Sequence, residues 1–247
     1  MITQYKIALG AVANHRLYSD SAYRLYAYLL EQLPFDEADW LHESGVVCQF
    51  LTYEKEKQRY LWTLNLLSDE TAQVLRPVLD GLQVVTIENQ SFPVLEQTLE
   101  EIRLEDLMAR GREETDRRTS VRFCTLTAFK QNGRYVIFPQ ERLILQSLIL
   151  RWNEVFPQCP LEDEDAFQAL LSGLHIVDYR LSTSRFLLKG VRIPGFTGSC
   201  LIEAKLALPL LELWNTLVAF ANYAGIGIKT GLGMGGVCAQ PWSANKP

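Results

Sequence analysis

Three histidines, His15, His42 and His175, supply all the imidazole chemistry of this 247-residue chain. Imidazole is the side chain suited to proton transfer near neutrality, so any acid–base chemistry at neutral pH would draw on one of them. His15, in "ANHRLYSD", sits at the turn into the first predicted helix, where a local hydrogen bond or a ligand contact suits it. His175 opens a strand after "LSGL" and reads as a satisfied structural histidine. His42, in "DWLHESG", falls between the first helix and the second strand with Gly45 beside it. By residue type alone, a lone histidine there reads as a solvated bystander before it reads as a proton carrier.

The second chemistry-bearing stretch is "ANYAGIGIKTGLGMGGV", residues 221–237, which holds six of the 15 glycines and a single charge, Lys229. A tight turn needs one or two glycines, so turning alone leaves most of them unexplained. The order helix, glycines, strand is wrong for a Walker or dinucleotide-binding loop, which leads from strand into helix. Beside tight turning, which stays open, stands a third reading, an anion nest. Backbone N–H groups around Gly225, Gly227, Gly231 and Gly233, free of Cβ atoms, would meet a long phosphate backbone, with Lys229 adding a charge and Thr230 a hydroxyl.

Charge patterning fits an anionic ligand locally. The chain carries a formal −5, yet from Tyr179 onward seven cations face two acids. That third is therefore +5 and the first 178 residues −10. Arg185, Lys189 and Arg192 punctuate "SRFLLKGVRIPGF" with no acid among them. On one continuous strand, period two puts Arg185 and Lys189 on one face and Arg192 on the other. No set of His, Cys, Asp and Glu has metal-ligand spacing, so neither metal nor cofactor is expected. Five scattered cysteines form no C-x-x-C pair and read as structural thiols of a reducing cytoplasm.

The elements that must position these residues come in two similar halves. "ITQYKIALGAVA" alternates like a strand, and a helix runs from about Ser21 to Leu33. "VVCQFLTYEK" and "RYLWTLNLL" follow as strands, Ser68 caps a helix to about Leu82 that Pro77 could kink, and "QVVTIEN" closes the half. Residues 100–120 are dense in both charges and read as a connector, helical at its start. "RFCTLTAFK", the turn "QNG" and "RYVIFP" open the second half. Two helices, strands at about 174–181, 184–193 and 197–206, a helix over 209–224 and a strand near Gly235–Gln240 complete it. Each half is β-α-β-β-α-β, an α+β fold of two tandem ferredoxin-like units. The boundaries are 1–105, a linker at 106–120, and 121–247. Each sheet would carry helices on one face and leave the other open. No apolar run reaches 18 residues and no secretion signal opens the chain, so neither a membrane nor export is expected.

Several motifs carry a family resemblance. "NYAGIGIKTGLGMGGV" resembles the C-terminal glycine-rich signature of the CRISPR-associated endoribonucleases that cut repeat RNA into guide RNAs, within the RAMP superfamily. "FCTLTAFKQNGRYVIFP", "SLILRWN" and the G-F-x-G turn of "GVRIPGFTGSCLIE" resemble the family's second unit, and "LHESG…FLTYEK" its N-terminal region. The resemblance implies metal-independent cleavage of CRISPR precursor RNA by 2′-OH attack, leaving a 2′,3′-cyclic phosphate and a 5′-OH. It implies repeat RNA as partner, with Arg185, Lys189, Arg192 and the glycine loop on the RNA. It leaves open effector-complex proteins, a homodimer, and the alternative of a non-cleaving RNA-binding subunit. His42 matches the family's catalytic histidine. Tyr28, about 115° from the apolar face of the first helix, matches the tyrosine some members add; Tyr26 lies on that apolar face. The family's lysine is missing: about six residues past His42 stand Cys48 and Gln49. Lys55, Lys57, Arg16 and Arg24 are the candidate replacements.

Overall fold

A computed structural model describes residues 1–44 and 46–242. Gly45 and Lys246 lie outside the described residues. The first unit runs β1 (Ile2–Gly10), α1 (Ala22–Leu30), α2 (Phe35–Ser44), β2 (Val47–Glu54), β3 (Arg59–Leu66), α3 (Asp69–Asp80), β4 (Val84–Ile87) and β5 (Gln90–Ile102). Its antiparallel sheet has the order β2-β3-β1-β5-β4. Tyr5, Ile7 and Leu9 of β1, with Trp62, Leu64 and Leu66 of β3, meet Leu25, Leu29, Leu75 and Leu79 of α1 and α3 in one core. Lys6, between them in β1, points to the other face and is exposed. Ser68 caps α3 by accepting a hydrogen bond from the Thr71 amide at 3.1 Å. Pro77 is accommodated inside α3, which continues to Asp80.

The closing strand differs from the expected one. "QVVTIEN" forms only the short outer arm of a hairpin, turning at Glu88 and Asn89 with positive φ. The strand that returns beside β1 is β5, thirteen residues long and reaching into the expected connector. Its many glutamates disguise it, because most of its residues remain solvent-exposed. The rest of that connector is also ordered. The helix α4 (Leu104–Glu113) approaches the last long helix so closely that a Cβ on Gly111 would lie 2.0 Å from Thr216 Oγ1.

The second unit runs β6 (Arg118–Thr127), β7 (Phe129–Gln131), β8 (Arg134–Val136), α5 (Glu141–Val155), α6 (Glu164–Gly173), β9 (Leu174–Leu188), β10 (Val191–Ala204), α7 (Leu208–Ala224) and β11 (Val237–Pro241). Its main sheet has the order β11-β6-β10-β9. Asn132-Gly133 makes the expected hairpin turn, both residues at positive φ. The three strands expected between 174 and 206 are two long ones. Lys189 (φ 48°) and Gly190 (φ 82°) form the two-residue turn between them, and a bulge at Gly198 bends β10 without ending it. Both halves are thus ferredoxin-like. Among the described residues no helix is long and apolar enough to cross a membrane.

Candidate functional site

The two units meet along β2, the edge strand of the first sheet. Leu67, Cys48 and Ile2 of the first unit belong to the same buried cluster as Phe123, Leu217 and Ile226 of the second. The open faces of the two sheets flank a cleft of about 1020 Å³ lined by Lys6, Thr52, Thr63, Arg122, Phe123 and Arg180, among others. Arg110 on its wall is tied to the Tyr223 hydroxyl at 2.7 Å and to Glu100.

The glycine loop is the clasp of this joint. Gly225, at φ 71°, ends α7. A Cβ there would lie 3.0 Å from Cys48 Sγ, one on Gly233 2.6 Å from the Ala22 Cβ, and one on Gly236 2.4 Å from Phe50 Cγ. Ala22, Cys48 and Phe50 all belong to the first unit. The glycines therefore let the second unit's backbone press against the first. Many of the amides expected in an anion nest are spent inside the protein. Gly225 N–H donates to the Ala221 carbonyl and Gly227 N–H to Ser147 Oγ. The amides of Ile226, Ile228, Gly235 and Gly236 donate to Gly235, Ala128 and Leu126 carbonyls and to Thr125 Oγ1 respectively. This corrects the expectation that Gly225 and Gly227 offer free N–H groups: the turn they permit is closed by the protein's own acceptors. Gly231 offers its carbonyl to Gln49 Nε2 at 2.9 Å. Thr230 is 2% exposed, and its Oγ1 accepts from Arg151 Nη2 at 2.9 Å. Lys229, in a left-handed conformation (φ 58°), is the loop's exposed cation.

His42 lies in the last turn of α2, not in a loop, and is exposed. Four residues on in sequence, Val46 packs against the second unit's core. Tyr28 is placed differently from expectation. Its hydroxyl donates to the Val84 carbonyl at 3.2 Å, on β4, the edge of the sheet opposite β2 and the glycine loop. Tyr26 is in the core, its hydroxyl without a partner among the described residues, and burial pushes its pKa up to about 12. His15 is exposed and its amide closes a local turn onto Val12. His175 is exposed on β9 rather than structurally satisfied in the core.

Cys48 and Gln49, standing where the lysine is expected, are both fully buried. Burial pushes the Cys48 thiol up to about 12. Lys55 and Lys57 sit in the β2–β3 turn, at the far end of an eight-residue strand spanning roughly 25 Å. Arg24 is bound to the Tyr23 hydroxyl and to Glu88, and Arg16 stacks over Tyr18. Arg185 pairs across the hairpin with Pro194, and Arg192 with Leu187. Both exposed guanidinium groups therefore share one face, with Lys189 in the turn beside them, which corrects the opposite-face expectation for Arg192. Arg151 escaped sequence reading because its place in "LILRWNE" reads only as helix. Its pairing with Thr230 depends on a contact 79 residues apart. Among the described residues no group of three or more His, Cys, Asp and Glu could hold a metal ion.

Two ferredoxin-like units clasped through a C-terminal glycine loop define a RAMP-type protein. Residues 121–237 match the family model described as CRISPR-associated endoribonuclease Cas6. A CRISPR-associated endoribonuclease Cas6 of Streptococcus thermophilus is 33% identical over 224 residues, which cover 88% of this chain and 90% of that relative. One from Mycobacterium tuberculosis (strain CDC 1551 / Oshkosh) is 28% identical, over 88% of this chain and 71% of the relative. Among solved structures, Thermus thermophilus Cas6 (TTHB231) matches with a TM-score of 0.77 at 23% identity, covering 97% of this chain and 98% of that one. A structure described as a RAMP protein binding different RNA substrates matches at 0.59 and 15%, over 96% of this chain and 99% of that one. The chain belongs to the CRISPR-associated endoribonuclease Cas6 family.

Proposed function

We propose that this protein is a cytoplasmic endoribonuclease that cleaves CRISPR precursor RNA within the repeat, without a metal, by transesterification. The ribose 2′-OH attacks the adjacent phosphate and the 5′-oxygen leaves, giving a 2′,3′-cyclic phosphate and a 5′-OH. The substrate brings its own nucleophile, so the protein must exchange protons and stabilise charge. The observation that carries this reading is His42: an exposed imidazole in the last turn of α2, four residues in sequence before the packed Val46. It takes or gives the proton. Arg185, Arg192, Lys189 and Lys229 are the solvent-facing cations that hold phosphates, and Gly231 with the buried Gly233 and Thr230 fixes the shape of the loop that carries Lys229. Two structural neighbours support the choice of ligand and residue in kind: one is described as a Cas6 product complex and one as a histidine-to-alanine mutant of a Cas6. Tyr28 is kept as a weaker candidate, because its hydroxyl must leave the Val84 carbonyl before it can touch substrate.

A second reading has its own support. Cys48 and Gln49, buried at the place of the missing lysine, remove one catalytic cation, which favours a subunit that binds repeat RNA and holds it in an effector complex without cutting. Incubation of the purified protein with repeat RNA in EDTA separates the two readings. A product ending in a cyclic phosphate, lost in His42→Ala while RNA binding persists, is the expected result. Binding with no cleavage by the wild-type protein would leave the binding subunit standing, and cleavage undiminished in His42→Ala would overturn the assignment of His42.

A further inference from the structure

Beside the glycine loop a separate cavity of about 270 Å³ opens between the loop, α5 and β7. One face of α5 forms its wall: Leu143, Gln146, Ser147, Leu150, Arg151 and Glu154 recur at helical spacing and all line it. Phe129 and Lys130 of β7 close a second side, and Gly225, Gly227, Ile228 and Thr230 of the loop the third. The lining mixes apolar walls with a few converging polar groups, as a small-ligand site does.

Three features of the lining bear on what it could hold. Leu150 is 63% exposed at the rim, an apolar side chain with little to pack against. Lys130 is exposed and, among the described residues, has no acidic partner within ion-pair distance. Arg151 is held in place by Thr230 Oγ1 and by Glu154 at 2.7 Å, which engages two of its five N–H donors. A charge so fixed, at the floor of a pocket with an apolar lip, suits a ligand that is flat and apolar at one end and anionic at the other.

We infer that this cavity takes one unpaired nucleotide of the bound RNA, its base over Leu150 and its phosphate at Lys130 and Arg151. Gln146 and the Glu154 carboxylate are the groups placed to read the base edge. Single-stranded RNA is recognised in this way, by bases splayed out of the stack into mixed pockets. The inference rests on the repeat-RNA reading above and deepens it by giving the cavity beside the loop a part in choosing the RNA.

The test uses the full chain and the repeat RNA that it binds, with each unpaired position replaced in turn by an abasic residue. Leu150→Glu places a carboxylate at an exposed rim position, so the variant should fold; thermal melting checks this, and Leu150→Asn serves as a second, uncharged variant. The expected result is a loss of about tenfold or more in affinity for intact RNA, with no further loss for the RNA that is abasic at one particular position. Equal affinity of variant and wild type for every RNA would overturn the inference. So would an equal loss for every RNA, abasic positions included, because that is general repulsion and not a lost base site. Failure of the wild-type protein to bind any repeat RNA would instead sink the functional reading on which this one rests.

Discussion

Gln49 of β2 donates its side-chain amide to the carbonyl of Gly231, 182 residues away, at 2.9 Å, and its own oxygen accepts from Trp62 Nε1 at 2.8 Å. The residue standing near the expected catalytic lysine is therefore a structural tie between the two units. Its amide satisfies a buried indole on one side and a loop carbonyl on the other, and this explains why a charged side chain is absent there. A lysine in its place would have to bury its ammonium in the joint.

Gln49→Leu should leave Trp62 Nε1 and the Gly231 carbonyl without partners. Each buried orphan costs about 1–3 kcal/mol. For a chain of this size, each kcal/mol lowers Tm by about 2–4 °C. Thermal melting reads the loss. If the joint is the weak point, limited proteolysis should then nick the 225–236 loop before either unit. An unchanged Tm would show that the bridge carries no stability.

Gly236→Ala tests the glycine loop as packing surface. A Cβ there meets the Phe50 ring at 2.4 Å, so the substitution should cost about 1–3 kcal/mol of overpacking strain. In a Phe50→Ala background the penalty should largely vanish. Gly231→Ala, where the nearest contact is the Val47 carbonyl at 3.1 Å, should be much milder. A Gly236→Ala protein as stable as wild type, yet defective in RNA binding, would restore the free-amide account of the loop.

Arg185 and Arg192 share one face of the β9–β10 hairpin, so they should act on RNA as a pair. Arg185→Ala/Arg192→Ala should weaken binding uniformly across repeat sequences and lower the slope of log affinity against log salt by about 1–2. Lys189→Ala should lower it by about 1. Filter-binding titrations from 50 to 200 mM salt measure this, and an unchanged slope would remove the hairpin from the interface.

Alkaline pH should reveal the buried acids. Burial raises Tyr26, Cys48 and Cys200 to about 12. Each binds its proton more tightly folded than unfolded, so stability is intact below the unfolded values near 9–10 and falls as pH climbs toward 12. Urea melts at pH 8 and 10.5 should show the fall. Tyr26→Phe should remove only that residue's share of the fall, leaving the part due to Cys48 and Cys200, and, by deleting a buried hydroxyl that has no partner among the described residues, should add about 1 kcal/mol at pH 8.

How far residues disclosed the architecture depended on whether their signal was local. Ser68 as a cap, Asn132-Gly133 as a hairpin turn and Gly225 as a helix end act within a few neighbours, and each stands where expected. The strand β5 was hidden because Glu96 and Glu100 lie on the sheet face away from the helices while Glu101, on the helix side, is held by Arg76 of α3, and charge density alone mimics a linker. Lys189 betrays the turn only once Gly190 is seen to share its left-handed conformation. At the site, His42 could be singled out as a candidate, but α2 itself is marked by little more than Asp36 and Glu37 at its start. The roles of Gln49, Arg151 and the Gly227 amide rest on partners 79 to 182 residues distant, which no window of sequence contains.

His42 and Tyr28 make opposite demands on the same experiment. His42 is exposed in the last turn of α2, and in the proposed mechanism its imidazole moves the proton. His42→Ala should therefore reduce single-turnover cleavage by about 10²–10⁴, the worth of a positioned acid–base group, and leave the Kd for RNA within twofold. The Tyr28 hydroxyl is spent on the Val84 carbonyl across α1 and β4. Removing it breaks one exposed hydrogen bond, so Tyr28→Phe should keep cleavage within about threefold and cost about 0.5–1.5 kcal/mol of stability at most. A cleavage loss in Tyr28→Phe as large as that in His42→Ala would mean that α1 rearranges when RNA binds and swings the phenol away from β4. In that event hydrogen exchange at Val84–Ile87 should quicken in the RNA complex.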